Sequence, residues 1–362
     1  MGLGKNGYYN LNDLHKVGAK INWIISERGD GKSYAVKEKA LKRAYEKQAP
    51  TIAIIRRNDV DCKPTKIENY FVERDEKANI ITKITKGEFD HVKARAGFIY
   101  LAKWENGKEI KSNYAIGEYF ALSTAIHEKS TGHKCEDIIC EEMLTDGIYL
   151  EDEPSKFMQL LSTIVRSDDE NVMVYLLGNT INRVCPYFKE WGMTNIFKQE
   201  QGTIDIYQYE QLDGTKIKIA CERVKSRNVK SRLFIGKAEK SIQGGEWEVH
   251  EYPKLYQPLE DFDEIFTVTY KASNGLNFTI RLIMNEEGSK FCFVHYAKHI
   301  SERVLTTEFS INPMHTPFLR RDRKIDIDIH NCFINNKFMY SDNLTATDFN
   351  NCLKSEKHNP LL

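Results

Sequence analysis

The chain of 362 residues is 41% hydrophobic, with 18 Phe and 18 Tyr, and its 52 basic residues balance 52 acidic ones. This apolar content suffices for two packed domains. The zero net charge excludes a protein whose whole surface is built to meet a polyanion, so any nucleic-acid contact must be local.

No apolar run approaches the roughly 20 residues of a membrane span, and residues 1–6 lack the apolar core of a signal peptide. Asn6 stands where myristoylation of Gly2 would want Ser or Thr. A cytoplasmic protein with no membrane partner is expected. The cysteines at 62, 135, 140, 185, 221, 292, 332 and 352 show neither a Cys-x-x-Cys pair nor Cys/His metal spacing. They read as reduced thiols acting as small hydrophobes.

Tyr8, Tyr9, Leu11 and Leu14 form an apolar-aromatic lead-in, where an aromatic ring either stacks on a purine or packs against a sheet edge. Ile21 to Ile25 then reads as a buried strand that breaks into Ser26-Glu27-Arg28-Gly29-Asp30-Gly31-Lys32-Ser33 and continues as a helix with Tyr34, Ala35, Val36, Ala40, Leu41 and Ala44 at helical spacing. This is the pattern of a phosphate-binding loop: glycines let backbone N–H groups face an anion, and the helix N-terminus adds its positive end. Lys32 would neutralise the β- and γ-phosphates of ATP, and Ser33 would offer its hydroxyl to Mg²⁺. Ser26 occupies the position of the expected first glycine.

After Pro50, residues 51–55 read as a second buried strand, parallel to the first, that stops at Arg56-Arg57. The C-terminal ends of parallel strands are where ligands bind, so one of these arginines meets phosphate or a neighbouring acid, or the pair is solvated. Residues 80–122 alternate with period two around the turn Glu105-Asn106-Gly107 and predict antiparallel strands inserted between the nucleotide-binding strands. Residues 136–140 form a short apolar strand ending in Glu141-Glu142. Beside a phosphate loop, such a tip supplies a Mg²⁺-orienting carboxylate, Glu141, and a water-activating general base, Glu142, or the same roles exchanged. The alternative is a solvated acidic turn.

Residues 153–165 predict an amphipathic helix, and residues 171–177 a further strand ending in Gly178-Asn179. Asn179 is placed to sense the γ-phosphate. Polar residues thus converge from the ends of four strands, which favours NTP hydrolysis with an additional strand between loop and carboxylates.

Residues 211–240 hold nine basic residues against three acids, among them Lys216, Lys218, Arg223, Lys225, Arg227 and Lys230. They form a candidate contact to a phosphodiester backbone or a solvated linker face. Residues 264–296 predict an antiparallel meander, the core of a second domain, followed by helical, basic material at 319–324 and a polar tail. The meander lacks the inward carboxylates of a two-metal nuclease, leaving Asp326 and Asp328 as the remaining paired acids. The expected division is an ATPase domain at 1–200, a basic linker or lid at 201–250, a C-terminal domain at 251–345 and a polar tail at 346–362.

The ordered set of Arg28-Gly29-x-Gly31-Lys32-Ser33-Tyr34-Ala35, Arg56-Arg57, Leu122-Ser123, Glu128-Lys129-Ser130, residues 138–142, Val165-Arg166, Asn179 and Pro186-Tyr187-Phe188 resembles the phi-29-like phage DNA-packaging ATPases. The resemblance is strongest from Tyr9 to about Phe188. It implies an α/β fold: a P-loop NTPase of the additional-strand, catalytic-glutamate type with a parallel-core sheet. A smaller α+β domain resembling an inactive ribonuclease-H-type nuclease would follow.

The family implies a homo-oligomeric, pentameric ring in the host cytoplasm, transiently on the portal vertex of a procapsid. There it drives double-stranded DNA inward, with a structural packaging RNA in some members. Arg166 would be an arginine finger reaching a neighbour's ATP and Lys129 a second trans-acting cation. Ser26, Arg28, Gly29, Asp30, Gly31, Lys32, Ser33, Tyr34 and Arg56 would line the nucleotide. Glu141 stands in place of the family's aspartate, and Ser26 in place of a glycine. The competing readings are a P-loop phosphotransferase and a helicase-like DNA-dependent ATPase without a packaging role.

Overall fold

The computed structural model describes residues 8–73, 79–127, 135–145, 149–165, 171–225, 247, 249–356 and 358–362. The chain divides into two compact units, residues 1–145, 150–181 and 195–246 in the first and 146–149, 182–194 and 247–362 in the second.

The first unit is built on a nine-stranded sheet. Its strands are β1 (Ile21–Ser26), β2 (Ile52–Arg56), β3 (His91–Arg95), β4 (Phe98–Glu105), β5 (Lys108–Ala121), β6 (Asp137–Cys140), β7 (Met173–Asn179), β8 (Thr203–Glu210) and β9 (Lys216–Arg223), in the order β3-β4-β5-β2-β6-β7-β1-β9-β8. From β5 to β9 every neighbouring pair is parallel, and only the edge pairs β3-β4, β4-β5 and β9-β8 are antiparallel. Continuous apolar runs dictate this arrangement. Residues of β1 and β6 are buried throughout, as strands covered on both faces must be. Helix α2 (Lys32–Lys47) buries Val36, Ala40, Leu41 and Ala44 on one side and stops where Gln48 turns left-handed at φ 50°.

Three expectations change here. Residues 80–84 form a short helix rather than a strand, because Asn79 Oδ1 accepts the N–H groups of Ile81 and Thr82 and so caps a helical turn. The β4-β5 hairpin, closed by Asn106 and Gly107 at φ 50° and 77°, extends the sheet beyond β2 and is not inserted among the parallel strands. Part of the expected linker, β8 and β9, belongs to the sheet itself, with β9 running parallel to β1.

The second unit holds a six-stranded sheet of β10 (Asp263–Lys271), β11 (Asn277–Met284), β12 (Lys290–Tyr296), β13 (Val304–Thr306), β14 (His315–Thr316) and β15 (Phe338–Tyr340), ordered β14-β13-β10-β11-β12-β15. The expected meander is β10-β11-β12, while β13, β14 and β15 join in parallel. Residues 182–194, expected within the first domain, group with this unit. Val184 packs in its core and the Arg183 guanidinium is paired with Asp348. The basic residues at 319–323 precede the helix Lys324–Ile334 rather than forming it. The expected polar tail is a helix over Asn343–Ser355, capped by Asp342, whose Ala346, Phe349, Cys352 and Leu353 are buried. Its apolar stripe is narrow and its Asn-rich remainder disguises it. All eight cysteines are free and buried, as expected.

Candidate active site

The loop after β1 follows from the chain's local chemistry. Gly29 at φ 88° and Gly31 at φ 91° occupy the left-handed region that other residues enter at a cost. This bends the chain from strand into helix within five residues. Ser26 is buried and its hydroxyl donates to the Glu27 carbonyl at 2.9 Å. A serine therefore serves at the loop's start without needing positive φ. Arg28 is exposed.

Asp30 is buried beside Glu27, and burial first, then the Glu27 charge, pushes its carboxyl up to about 7. The Asp30 carbonyl accepts the Tyr9 N–H at 2.9 Å, which ties the lead-in segment to the loop. Tyr9 itself is buried, its hydroxyl donating to Glu222 at 2.8 Å, so it packs against the sheet.

Lys32 lies at the start of α2 with its side chain buried. Its ammonium donates to Asn179 Oδ1 at 2.6 Å and to the Glu27 carbonyl at 3.3 Å. Burial draws its pKa down, opposed chiefly by the Glu141 and Asp30 carboxylates. Both hydrogen-bond acceptors are neutral, so the ammonium's charge is offset through space by the nearby carboxylates and by no direct carboxylate contact among the described residues. Asn179 is in register with Ser26, because β7 pairs directly with β1. Ser33 sits half-buried in the first turn of α2. Tyr34 packs against the core beside Lys83 and Glu38. It is the one residue of the loop set whose ring serves packing.

β7 lies between β1 and β6, so the tip of β6 stands beside the strand of Asn179 and two strands from β1, whose loop leads to Lys32. The acids of the stretch 136–142 separate there into two groups. Glu136 and Asp137, at the start of β6, are paired with Lys39, Arg43 and Lys47 of α2. At the other end Glu141 is half-buried and Glu142 exposed.

Glu141 accepts the Tyr70 hydroxyl at 2.8 Å, and Arg56 lies 5.0 Å from the centre of the same ring. Tyr70 closes the helix α3 (Pro64–Tyr70) and is half-buried with its hydroxyl on the acid; desolvation and the Glu141 charge push its phenol well above its ordinary pKa. Sequence reasoning passed over Tyr70 and Glu27, and gave Asp30 only a place along the nucleotide. The Lys63-Pro64 helix start was the available signal for the first, and a second acid inside a phosphate loop for the other.

The basic stretch is divided. The β1/β9 register runs from Ile21 with Ile219 to Ile25 with Arg223, so Lys216 and Lys218, paired with Glu210 and Gln208 of β8, lie at the end of β9 opposite the loop. Lys216 and Arg223 are about 23 Å apart along the strand. Lys216, Lys218 and Lys225 are exposed. Arg223 is half-buried and donates to the Gln199 carbonyl, a structural duty. Arg227, Lys230, Lys129 and Arg166 lie outside the described residues.

In the second unit Asp326 is buried, bound by the Arg303 guanidinium and the Arg320 N–H at 2.7 Å each, and Asp328 is paired with Lys290 at 2.6 Å. Among the described residues no group of three or more His, Cys, Asp or Glu side chains is placed to hold a metal ion. Mg²⁺ needs only one or two protein oxygens when phosphates and water complete its shell. The expected ligands Ser33 and Glu141 each carry an oxygen and are half-buried, one at the start of α2 and one at the tip of β6. No helix among the described residues is long and apolar enough to cross a membrane.

The DNA packaging proteins of Bacillus phages phi29 and PZA are each 25% identical over 188 residues, 51% of this chain and 50% of the relative. That of Bacillus phage B103 is 29% identical over 177 residues, 48% of each. The chain thus spans about half the length of the curated relatives it matches. Among solved structures, the bacteriophage Phi-29 viral genome packaging motor assembly aligns with 95% of this chain and 99% of its own at 20% identity and a TM-score of 0.53. The Phi-28 gp11 DNA packaging motor aligns with 98% and 100% at 17% identity and 0.50. At these identities the likeness concerns the fold, a mixed α/β architecture with parallel-strand sheets. Residues 3–227 match the family described as podovirus DNA encapsidation protein (Gp16), and the chain belongs to that family.

Proposed function

We propose that the protein is an ATP-hydrolysing subunit of a phage DNA-packaging motor that moves double-stranded DNA into a procapsid. One observation carries the reading. A glycine-bent loop ends in a buried lysine, the asparagine of the next strand bonds that lysine, and the strand beyond presents two carboxylates at its tip. Family membership and the packaging function named for the relatives supply the cargo.

In this reading the fold is a P-loop NTPase of the additional-strand, catalytic-glutamate type. Mg²⁺-bound ATP supplies the phosphoanhydride to be cleaved. Lys32 neutralises the β- and γ-phosphates, Gly29 and Gly31 let the loop amides face them, and Ser33 and Glu141 hold the ion's shell. Glu142 takes the proton of the attacking water, and Asn179 exchanges its contact with Lys32 for one to the γ-phosphate. Arg166 and Lys129 act on a neighbouring subunit's nucleotide within a homomeric, pentameric ring at the portal vertex.

The meander continued by parallel strands supports a ribonuclease-H-type second domain. Asp326 and Asp328, each held by a cation, support its being inactive. Lys216, Lys218, Lys225, Arg227 and Lys230 are the basic residues offered to DNA, on the ring with or without a packaging RNA. Phosphate release by the full chain, with and without duplex DNA and procapsids, tests the reading. DNA-stimulated turnover is expected. Lys32→Ala should abolish ATP binding, and unchanged nucleotide affinity in that variant would overturn the loop assignment.

A further inference from the structure

The turn after β6 is held in an unfavourable shape, and one side chain holds it. Glu142 has φ 56°, a left-handed conformation that costs a residue with a side chain about 1 kcal/mol or more. Arg57 spans the turn. Its Nη1 donates to the Glu142 carbonyl at 3.1 Å, Nη2 to the Met143 carbonyl at 2.9 Å and Nε to Glu153 Oε2 at 2.9 Å. Glu153 is buried, and the same carboxylate oxygen accepts the Leu150 N–H at 2.8 Å. From the other side the Met143 N–H donates to the Leu177 carbonyl at 3.0 Å. Leu144 packs so tightly on Gly178 that a Cβ there would stand 2.7 Å from it. The turn is therefore fastened to β7 by its backbone and to β2 by Arg57.

We propose that Arg57 is the positioning residue for Glu142: its guanidinium fixes two successive peptide planes and so aims the exposed carboxylate at the tip of β6. This rests on the reading of Glu142 as the general base. All three guanidinium nitrogens of Arg57 already donate, two to the turn and one to Glu153, while Arg56 lies over the ring of Tyr70, which bonds Glu141. Lysine cannot reproduce the arrangement, because a point charge lacks the planar fork that reaches two carbonyls and a carboxylate at once. Without the fork the turn relaxes toward the right-handed region and the carboxylate swings away, and displacement of about 1 Å is enough to lose about 10²-fold in rate.

The experiment uses the full chain under the conditions in which it hydrolyses ATP, comparing Arg57→Lys, Arg57→Ala and Glu142→Gln by kcat, KM and nucleotide affinity. Arg57→Lys keeps a cation for the buried Glu153 and guards against loss of the fold, which thermal melting checks. The expected result is a fall of about 10²-fold in kcat for Arg57→Lys, with KM and nucleotide affinity within about twofold of the parent. Added guanidinium ion should partly restore Arg57→Ala and leave Glu142→Gln dead. A folded Arg57→Lys with parental kcat, or one whose nucleotide affinity falls in step with kcat as for a phosphate ligand, would overturn the proposal. If instead Glu142→Gln turns over normally, the general-base reading fails, and that outcome is distinct from a dead Glu142→Gln beside a normal Arg57→Lys.

Discussion

The two ends of strand β6 carry acids in equal number and set them in opposite surroundings. At its start, Glu136 and Asp137 are buried and surrounded by Lys39, Arg43 and Lys47 from α2. At its far end, Glu141 accepts one hydroxyl from Tyr70, and Glu142 is exposed on a turn that holds its backbone and leaves its carboxylate outside. Three residues separate the groups. A carboxylate surrounded by cations stabilises the fold and has little left to offer a substrate, while one oriented through its neighbours' backbone keeps its charge for chemistry. The second unit repeats the first pattern, with Asp326 held by Arg303 and Asp348 by Arg183.

Substitutions at the two ends should therefore separate turnover from stability. The largest effect is expected from Glu142→Gln, which should lower turnover by about 10²- to 10⁴-fold, the usual contribution of a general base. Its unfolding free energy should stay within about 0.5 kcal/mol of the parent's, as for other exposed positions. Phosphate release and denaturant melts measure the two quantities, and parental turnover would erase the contrast.

Asp137→Ala should do the reverse. Breaking a buried pair costs about 3–5 kcal/mol, and because Lys39 and Arg43 each keep about a quarter of their side-chain surface in water, about 2–3 kcal/mol is expected here. Nucleotide affinity per folded molecule should not change. Equal losses of stability and affinity would mean that the start of the strand also serves the site.

The smallest effect sharpens the far end. Tyr70→Phe removes one hydrogen bond to the Glu141 carboxylate, worth about 1–2 kcal/mol, with little change in volume. If Glu141 holds the metal shell, the Mg²⁺ concentration giving half-maximal turnover should rise by up to about tenfold, and stability should fall by no more than the worth of that bond. An unchanged Mg²⁺ dependence would assign that shell to another residue.

Much of this was legible in the chain. The loop from Ser26 to Ser33, the buried strands on either side, the acid-tipped β6 and the meander of the second unit are local patterns, and strong periodicity or a glycine-spaced turn announces each without knowledge of its neighbours. Tyr70 and the service of Arg57 to Glu142 were not legible. Each joins segments more than 70 residues apart, and no spacing along the chain encodes such a meeting. The same holds for Arg183 and Val184, whose membership of the second unit depends on Asp348 and on a core assembled from distant strands. The helix over Asn343–Ser355 was hidden differently, by a composition that looks solvated until its narrow apolar stripe finds a sheet to cover.

The sequence by itself determined which residues can bend around a phosphate, which runs must be buried on both faces, and which strand ends carry acid or base. Those properties belong to side chains and to their immediate neighbours. Only the tertiary structure decided which acids are neutralised and which are left open, that β7 is the strand expected between loop and carboxylates, and that the basic stretch is split between opposite ends of β9. Charge compensation, strand order and register are settled by packing between segments remote in the chain, and their energies exist only once those segments meet.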